Sequence, residues 1–207
     1  MKQTALLHCQ AKVCCIAGLR LLKIKEFYMA EKKKSSGKNK NIAGSVRTLV
    51  ADTVEKMGFL LWDVLYEKEG ASWYLRIIID RETGVDINDV EAVHRAIDPI
   101  IDEADPIEDF YYLEVSSPGV ERELRLPEHY EAFLGELVTA KLFAAAEGVP
   151  AFAGMKEITA VLAAYNSENG EITLTEGENS ITLAAKDVAK VNVYYDFTAD
   201  TSQQDKE

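Results

Sequence analysis

Residues 111–135 read YYLEVSSPGVERELRLPEHYEAFLG, and the first nine of them decide how the chain is divided. Tyr111 to Ser116 alternates in the manner of a β-strand and then meets Ser117-Pro118-Gly119. Proline presets φ for the second position of a type II turn, and glycine accepts the positive φ of the third, so the strand ends abruptly there. The stretch Glu121 to Pro127 then reads as a linker, and Pro127 opens a short helical turn, Glu128 to Leu134, closed by Gly135.

Working outward from that strand, the upstream chain alternates helix and strand. Ile42, Val46, Leu49, Val50, Val54 and Met57 fall at helical spacing, and Gly58 stands where a C-terminal cap glycine belongs. Phe59 to Lys68 and Trp73 to Asp80 are aromatic and β-branched runs around the turn Glu69 to Ser72, a predicted hairpin. Asn88 and Glu91 form a predicted N-cap and N3 pair ahead of Val90, Val93 and Ile97. Pro99 predicts a break or restart of that helix, with Asp98 as cap. The order αββαβ predicts an α+β layer pair with both helices on one face.

Downstream, the chain changes character. Leu137 to Phe143, Glu157 to Tyr165, Glu171 to Glu176, Ser180 to Ala184 and Val191 to Phe197 are short candidate strands between Gly, Asn and Glu turns. Five strands at roughly ten-residue spacing predict a small closed β-barrel. The expected organisation is an unstructured basic extension over residues 1–41, an α/β domain over 42–122, a five-stranded barrel domain over 123–198 and a polar tail over 199–207. A length of 207 residues, 47% apolar and 28% charged, accommodates two small globular domains.

Charge is unevenly placed. Residues 1–40 carry ten Lys/Arg and two Glu, a surplus of +8, whereas the remainder carries 13 Lys/Arg against 33 Asp/Glu, a net −20. An acidic body repels phosphate and attracts basic proteins, while the arm Lys32-Lys33-Lys34 with Lys38 and Lys40 can reach RNA. Met29, followed by AEKKKSSGKNKN, is the expected translation start. Residues 1–28 hold Cys9, Cys14 and Cys15, so the expected folded part has no thiol for catalysis, zinc or disulfides, which fits a cytoplasmic protein. Lys12 and Arg20 bracket only seven apolar or small residues, too few for a secretory signal or a membrane span.

Catalytic constellations are weak. Ser116 and Ser117 lack the flanking glycines of a nucleophile elbow, and no base is evident for them. His94 and Asp98 stand at i and i+4, a spacing that lets a carboxylate orient an imidazole, but no second histidine or cysteine completes a metal set. His129 reads as structural. The carboxylates from Asp86 to Asp109 are spread over helix and loop without calcium-loop spacing, and read as a solvated face. The αββαβ order is shared by RNA-binding KH modules, yet no GXXG occurs at the matching turn. No enzyme, metal or cofactor is expected; a freestanding KH- or Sm-like RNA-binding module is the alternative reading.

The 111–135 stretch also closely resembles the signature of the bacterial ribosome maturation factor family RimP. Residues 57–70 (MGFLLWDVLYEKEG), 73–102 (WYLRIIIDRETGVDINDVEAVHRAIDPIID) and 187–197 (DVAKVNVYYDF) extend the similarity over about residues 42 to 197. Glu123 departs from the pattern, since relatives often carry proline after the arginine. The resemblance implies an α/β N-terminal domain and an SH3-like or Sm-like C-terminal barrel. It also implies a non-enzymatic cytoplasmic factor that binds the free small (30S) ribosomal subunit and helps the region around a basic ribosomal protein to assemble; the charge reading adds docking on basic small-subunit proteins by the acidic body, with ribosomal RNA reached through the lysine arm. The residues singled out for this are a contact or interdomain loop, Ser116, Ser117, Pro118, Gly119 and Arg122, and an acidic protein-docking loop, Glu108 and Asp109.

Overall fold

One face of the first helix, α1 (Ile42–Lys56), buries Val46, Val50, Ala51 and Val54 at the spacing of a single helical stripe. It ends in a Schellman motif. Gly58, at φ +88°, donates to the Glu55 carbonyl at 2.9 Å and Phe59 donates to the Val54 carbonyl at 3.2 Å. Glycine is needed there because the reversal uses positive φ. The computed structural model describes residues 42–147 and 149–197, so the basic extension, the lysine arm and the polar tail read from the sequence lie outside the described residues. Two compact units divide between Pro118 and Gly119.

In the first unit, β1 (Leu60–Glu69) and β2 (Ser72–Asp80) pair antiparallel as the expected hairpin, with an irregularity between Leu61 and Asp63. The second helix, α2 (Ile87–Ala104), differs from expectation at two points. Its N-cap is Asp86, not Asn88: the Asp86 carboxylate accepts from the Asn88 and Asp89 N–H groups at 2.7 and 2.9 Å, and the Asp89 carboxylate accepts from the Asp86 N–H at 3.0 Å. Arg81 pairs with that same Asp89 carboxylate and fixes the choice. The helix also runs through Pro99 without a break. Pro99 and Arg95 are exposed, so the carbonyl that loses its i+4 donor faces water, while Val93, Ile97 and Ile101 hold the opposite stripe in the core.

The connection through α2 returns the chain parallel to β2, and β3 (Tyr111–Ser116) completes a three-stranded sheet in the order β1-β2-β3. Val64, Leu75, Ile77 and Ile79 of the sheet share one buried cluster with Val46, Val50 and Val54 of α1 and Val93, Ile97 and Ile101 of α2. Both helices therefore cover one face, as the element order predicts. Truncating Ile97, which has no exposed surface, to alanine is expected to cost about 2–5 kcal/mol.

The second unit opens with residues 121–124 running beside the last strand. It continues with α3 (Pro127–Ala132), β4 (Leu137–Leu142), β5 (Glu157–Asn166), β6 (Glu171–Glu176), β7 (Asn179–Leu183), a 3-10 turn at Ala185–Asp187 and β8 (Val188–Val193). The strands form one antiparallel sheet in the order β7-β6-β5-β4-β8. Alternate residues point to one buried face, Val138 and Ala140 opposite Ala160 and Ile158, and Leu174 opposite both Leu162 and Ile181. The last strand is displaced from the expected 191–197, because its partner β4 begins at Leu137 and offers its last bond, at 3.0 Å, to the Tyr194 N–H. Among the described residues β7 is left as an edge, the outer side of β8 is bonded to residues 121–124, and no closed barrel is found.

His129 is structural. It is fully buried, and its Nδ1 accepts from the backbone N–H groups of Arg125 and Leu126 at 3.2 and 3.4 Å, closing the entry to α3. Among the described residues, no helix is long and apolar enough to cross a membrane.

Candidate functional site

The residues of the expected contact loop fall on either side of the division between the units. Ser116 is the last residue of β3, opposite Ile78, and both Ser116 and Ser117 are exposed. Among the described residues no hydrogen bond joins either serine to a histidine or carboxylate, the arrangement a nucleophile would need. Gly119 has φ +74°, close to the third position of a type II turn, and nothing lies within 4 Å of where a Cβ would stand. Arg122 belongs to the second unit, half-buried, with its carbonyl accepting from the Val193 N–H at 3.0 Å.

The acidic loop begins where α2 ends. Asp105 closes the helix in the left-handed conformation, φ 41°, donating to the Ile101 carbonyl at 2.9 Å. Ile107 then anchors the loop in the core, leaving Glu108, Asp109 and Phe110 exposed. The carboxylates act on two neighbouring phenols. Burial and then Asp109 push the Tyr66 hydroxyl above its ordinary pKa, and burial followed by Asp102, Asp98 and Asp105 does the same to Tyr111. The Tyr66 ring stacks on Trp73 at 4.6 Å.

Beside this loop lies a feature that the sequence reading missed. On β2 and β3 the residues pointing away from the helices alternate with the core positions, and the parallel register sets Tyr74 opposite Tyr112 and Arg76 opposite Glu114. Phe110 meets Tyr112 edge-on at 5.3 Å, Tyr112 stacks on Tyr74 at 5.4 Å, and the Arg76 guanidinium lies 5.3 Å from the Tyr74 ring. Arg76 donates from Nε to Glu114 at 2.7 Å and from Nη1 to Glu69 at 2.6 Å, with Glu67 at 3.8 Å. Those bonds raise the pKa of Arg76 and lower that of Glu69. The available signal was the period-two pairing of aromatic with charge in Tyr74-x-Arg76 and Tyr112-x-Glu114.

On α2, the ion pair at i, i+4 is Glu91 with Arg95, rather than the His94 and Asp98 singled out by spacing. Among the described residues no group of three or more His, Cys, Asp or Glu is arranged to hold a metal ion. What the site offers is recognition chemistry: exposed rings, a clamped guanidinium and an excess of carboxylates.

Residues 49–121 match the family model of the RimP N-terminal domain. The match begins within α1, covers the hairpin, α2, the acidic loop and β3, and ends just past the Ser-Pro-Gly turn. By this match the first unit carries a RimP N-terminal domain.

Proposed function

We propose that this chain is a non-enzymatic, cytoplasmic ribosome maturation factor that binds the free small (30S) ribosomal subunit and assists its assembly. The match of residues 49–121 to the RimP N-terminal domain carries the reading, with the resemblance of the 111–135 stretch to the same family beside it. Charge supports a protein-facing role. Residues 42–118 hold six Lys/Arg against seventeen Asp/Glu, a net −11, which favours basic small-subunit proteins over bare phosphate. In this reading Glu108 and Asp109 dock such proteins, and the loop Ser116, Ser117, Pro118, Gly119 and Arg122 supplies further contacts. The lysine-rich arm reaches ribosomal RNA, and the second unit, whose five strands lie between Leu137 and Val193, belongs to the SH3-like or Sm-like barrel class.

Cosedimentation with free small subunits, with mature 70S ribosomes and with naked ribosomal RNA tests the proposal. Selective sedimentation with free small subunits is expected. Preference for naked RNA would overturn it in favour of a freestanding RNA-binding module. Reversing Glu108 and Asp109 to lysine is expected to weaken subunit binding; a gain would mean that phosphate, rather than a basic protein, faces this loop.

A further inference from the structure

We propose that the face of the three-stranded sheet turned away from the helices, at the row Phe110-Tyr112-Tyr74, docks an extended arginine-rich segment of a basic protein. This rests on the maturation-factor reading for the identity of the bearer, since a small subunit is rich in such segments, but the recognition chemistry is on the sheet itself. Phe110 and Tyr112 are 77% and 48% exposed, and because they meet edge-on and Tyr112 stacks on Tyr74 they form a contiguous aromatic patch rather than isolated exposed rings. Their alternate spacing along one chain, about 6–7 Å, is that of successive same-side residues in an extended peptide laid beside them.

The charge around the row selects the occupant. Arg76 is faced by Glu67, Glu69 and Glu114, three carboxylates for one guanidinium, so the row's flank keeps a negative excess, and these three side chains are 46%, 54% and 44% exposed. Glu108 and Asp109 add to it directly before Phe110. RNA would bring phosphates into this field, and a second copy would bring the same sign of charge; a cationic polypeptide gains from it. Arginine is favoured over lysine because its planar, weakly hydrated guanidinium can lie on a ring while its donors reach carboxylates. The sheet already contains that arrangement within itself, with Arg76 lying by Tyr74 and bonded to Glu69 and Glu114.

The test uses the full chain and two fluorescein-labelled peptides, eight residues of alternating arginine and glycine and the same sequence with lysine, titrated by anisotropy and by amide chemical-shift mapping at low salt. Wild type is expected to bind the arginine peptide several-fold more tightly than the lysine peptide, with shifts at Tyr74, Phe110 and Tyr112. Phe110→Ala with Tyr112→Ala should weaken arginine binding about tenfold, and should lower small-subunit cosedimentation. Ile87→Ala, at an exposed position outside the sheet, should change neither. Phe110→Ala alone, a change at a largely exposed side chain, gives the same direction with a smaller loss and guards against misfolding of the double variant.

Equal peptide affinity in wild type and the double variant would overturn the proposal. So would an oligouridine that binds this row more tightly than the peptide, or a wild-type dimer that the double variant abolishes. If wild type binds the peptide as described but does not sediment with small subunits, the maturation-factor reading falls and the docking face stands. If it sediments and the double variant sediments equally, the docking face falls alone.

Discussion

Replacing Pro99 with alanine is expected to stabilise the first unit. Pro99 sits inside α2, two residues from Ile97 and Ile101, which are buried, so it lies on the opposite, solvent-facing side of the helix. There it removes the N–H that would bond the Arg95 carbonyl and crowds that carbonyl with its ring, an interior penalty of about 3 kcal/mol relative to alanine. Two effects reduce the gain: proline restricts the unfolded chain by about 0.4–1 kcal/mol, and the exposed Arg95 carbonyl is partly satisfied by water. The net expectation is a stabilisation of about 1–2 kcal/mol. Both tryptophans, Trp62 and Trp73, belong to the first unit, so tryptophan fluorescence in a urea titration reads that unit selectively. A rise in the midpoint without change in slope is expected, with Pro99→Gly intermediate because glycine returns the N–H but carries its own helix penalty of about 1 kcal/mol. If the helix instead restarted at Asp98, Pro99 would occupy the first helical position, where proline is favourable, and Pro99→Ala would be neutral or destabilising. That outcome would refute the continuous helix.

The capping box predicts a ranking: Asp86→Ala should cost about 1 kcal/mol, Asp89→Ala about 1–2 because it also frees Arg81, and Glu91→Ala less than about 0.5, all read by the same fluorescence. In the second unit, burial, Tyr165 and Glu123 push the Tyr130 hydroxyl up to about 12, favouring its neutral form in the folded state. Its contribution is therefore intact below pH 10 and lost as the pH rises from about 10 to 12; Tyr130→Phe should flatten that part of a stability-against-pH curve followed by circular dichroism, and an unchanged slope would count against it. Glu123→Pro should leave the sheet intact within about 1 kcal/mol, because the flanking bonds use the Leu124 N–H and the Arg122 carbonyl, and what is lost is the half-exposed ion pair with Lys190 and the Glu123 charge near Tyr130. Leu124→Pro, which removes one of those bonds at a buried side chain, should unfold the unit's last pairing.

The architecture was legible where a local signal had one physical outcome. The stripe Val46, Val50, Val54 with Gly58 allows one helix with one ending, and Pro118-Gly119 after an alternating run stops a strand. It was not legible where two local solutions compete and a distant residue decides. Asp86-x-x-Asp89 and Asn88-x-x-Glu91 have the same form; Arg81 on Asp89 selects the first, and that contact exists only once the loop from β2 has closed. Pro99 shows a local rule overruled by packing, since Ile97 and Ile101 on either side of it are held in one core. The docking face belongs to the same class of hidden feature. Tyr74 and Arg76 are separated by 38 residues from Tyr112 and Glu114, and they become neighbours only through the parallel register, which follows from the intervening helix. Each strand by itself reads as an ordinary half-buried strand with a polar side. Once the register is known, the polar side is seen to carry rings and charge in matched positions, Tyr74 beside Tyr112 and Arg76 beside Glu114, which no catalytic or metal-binding spacing could have flagged.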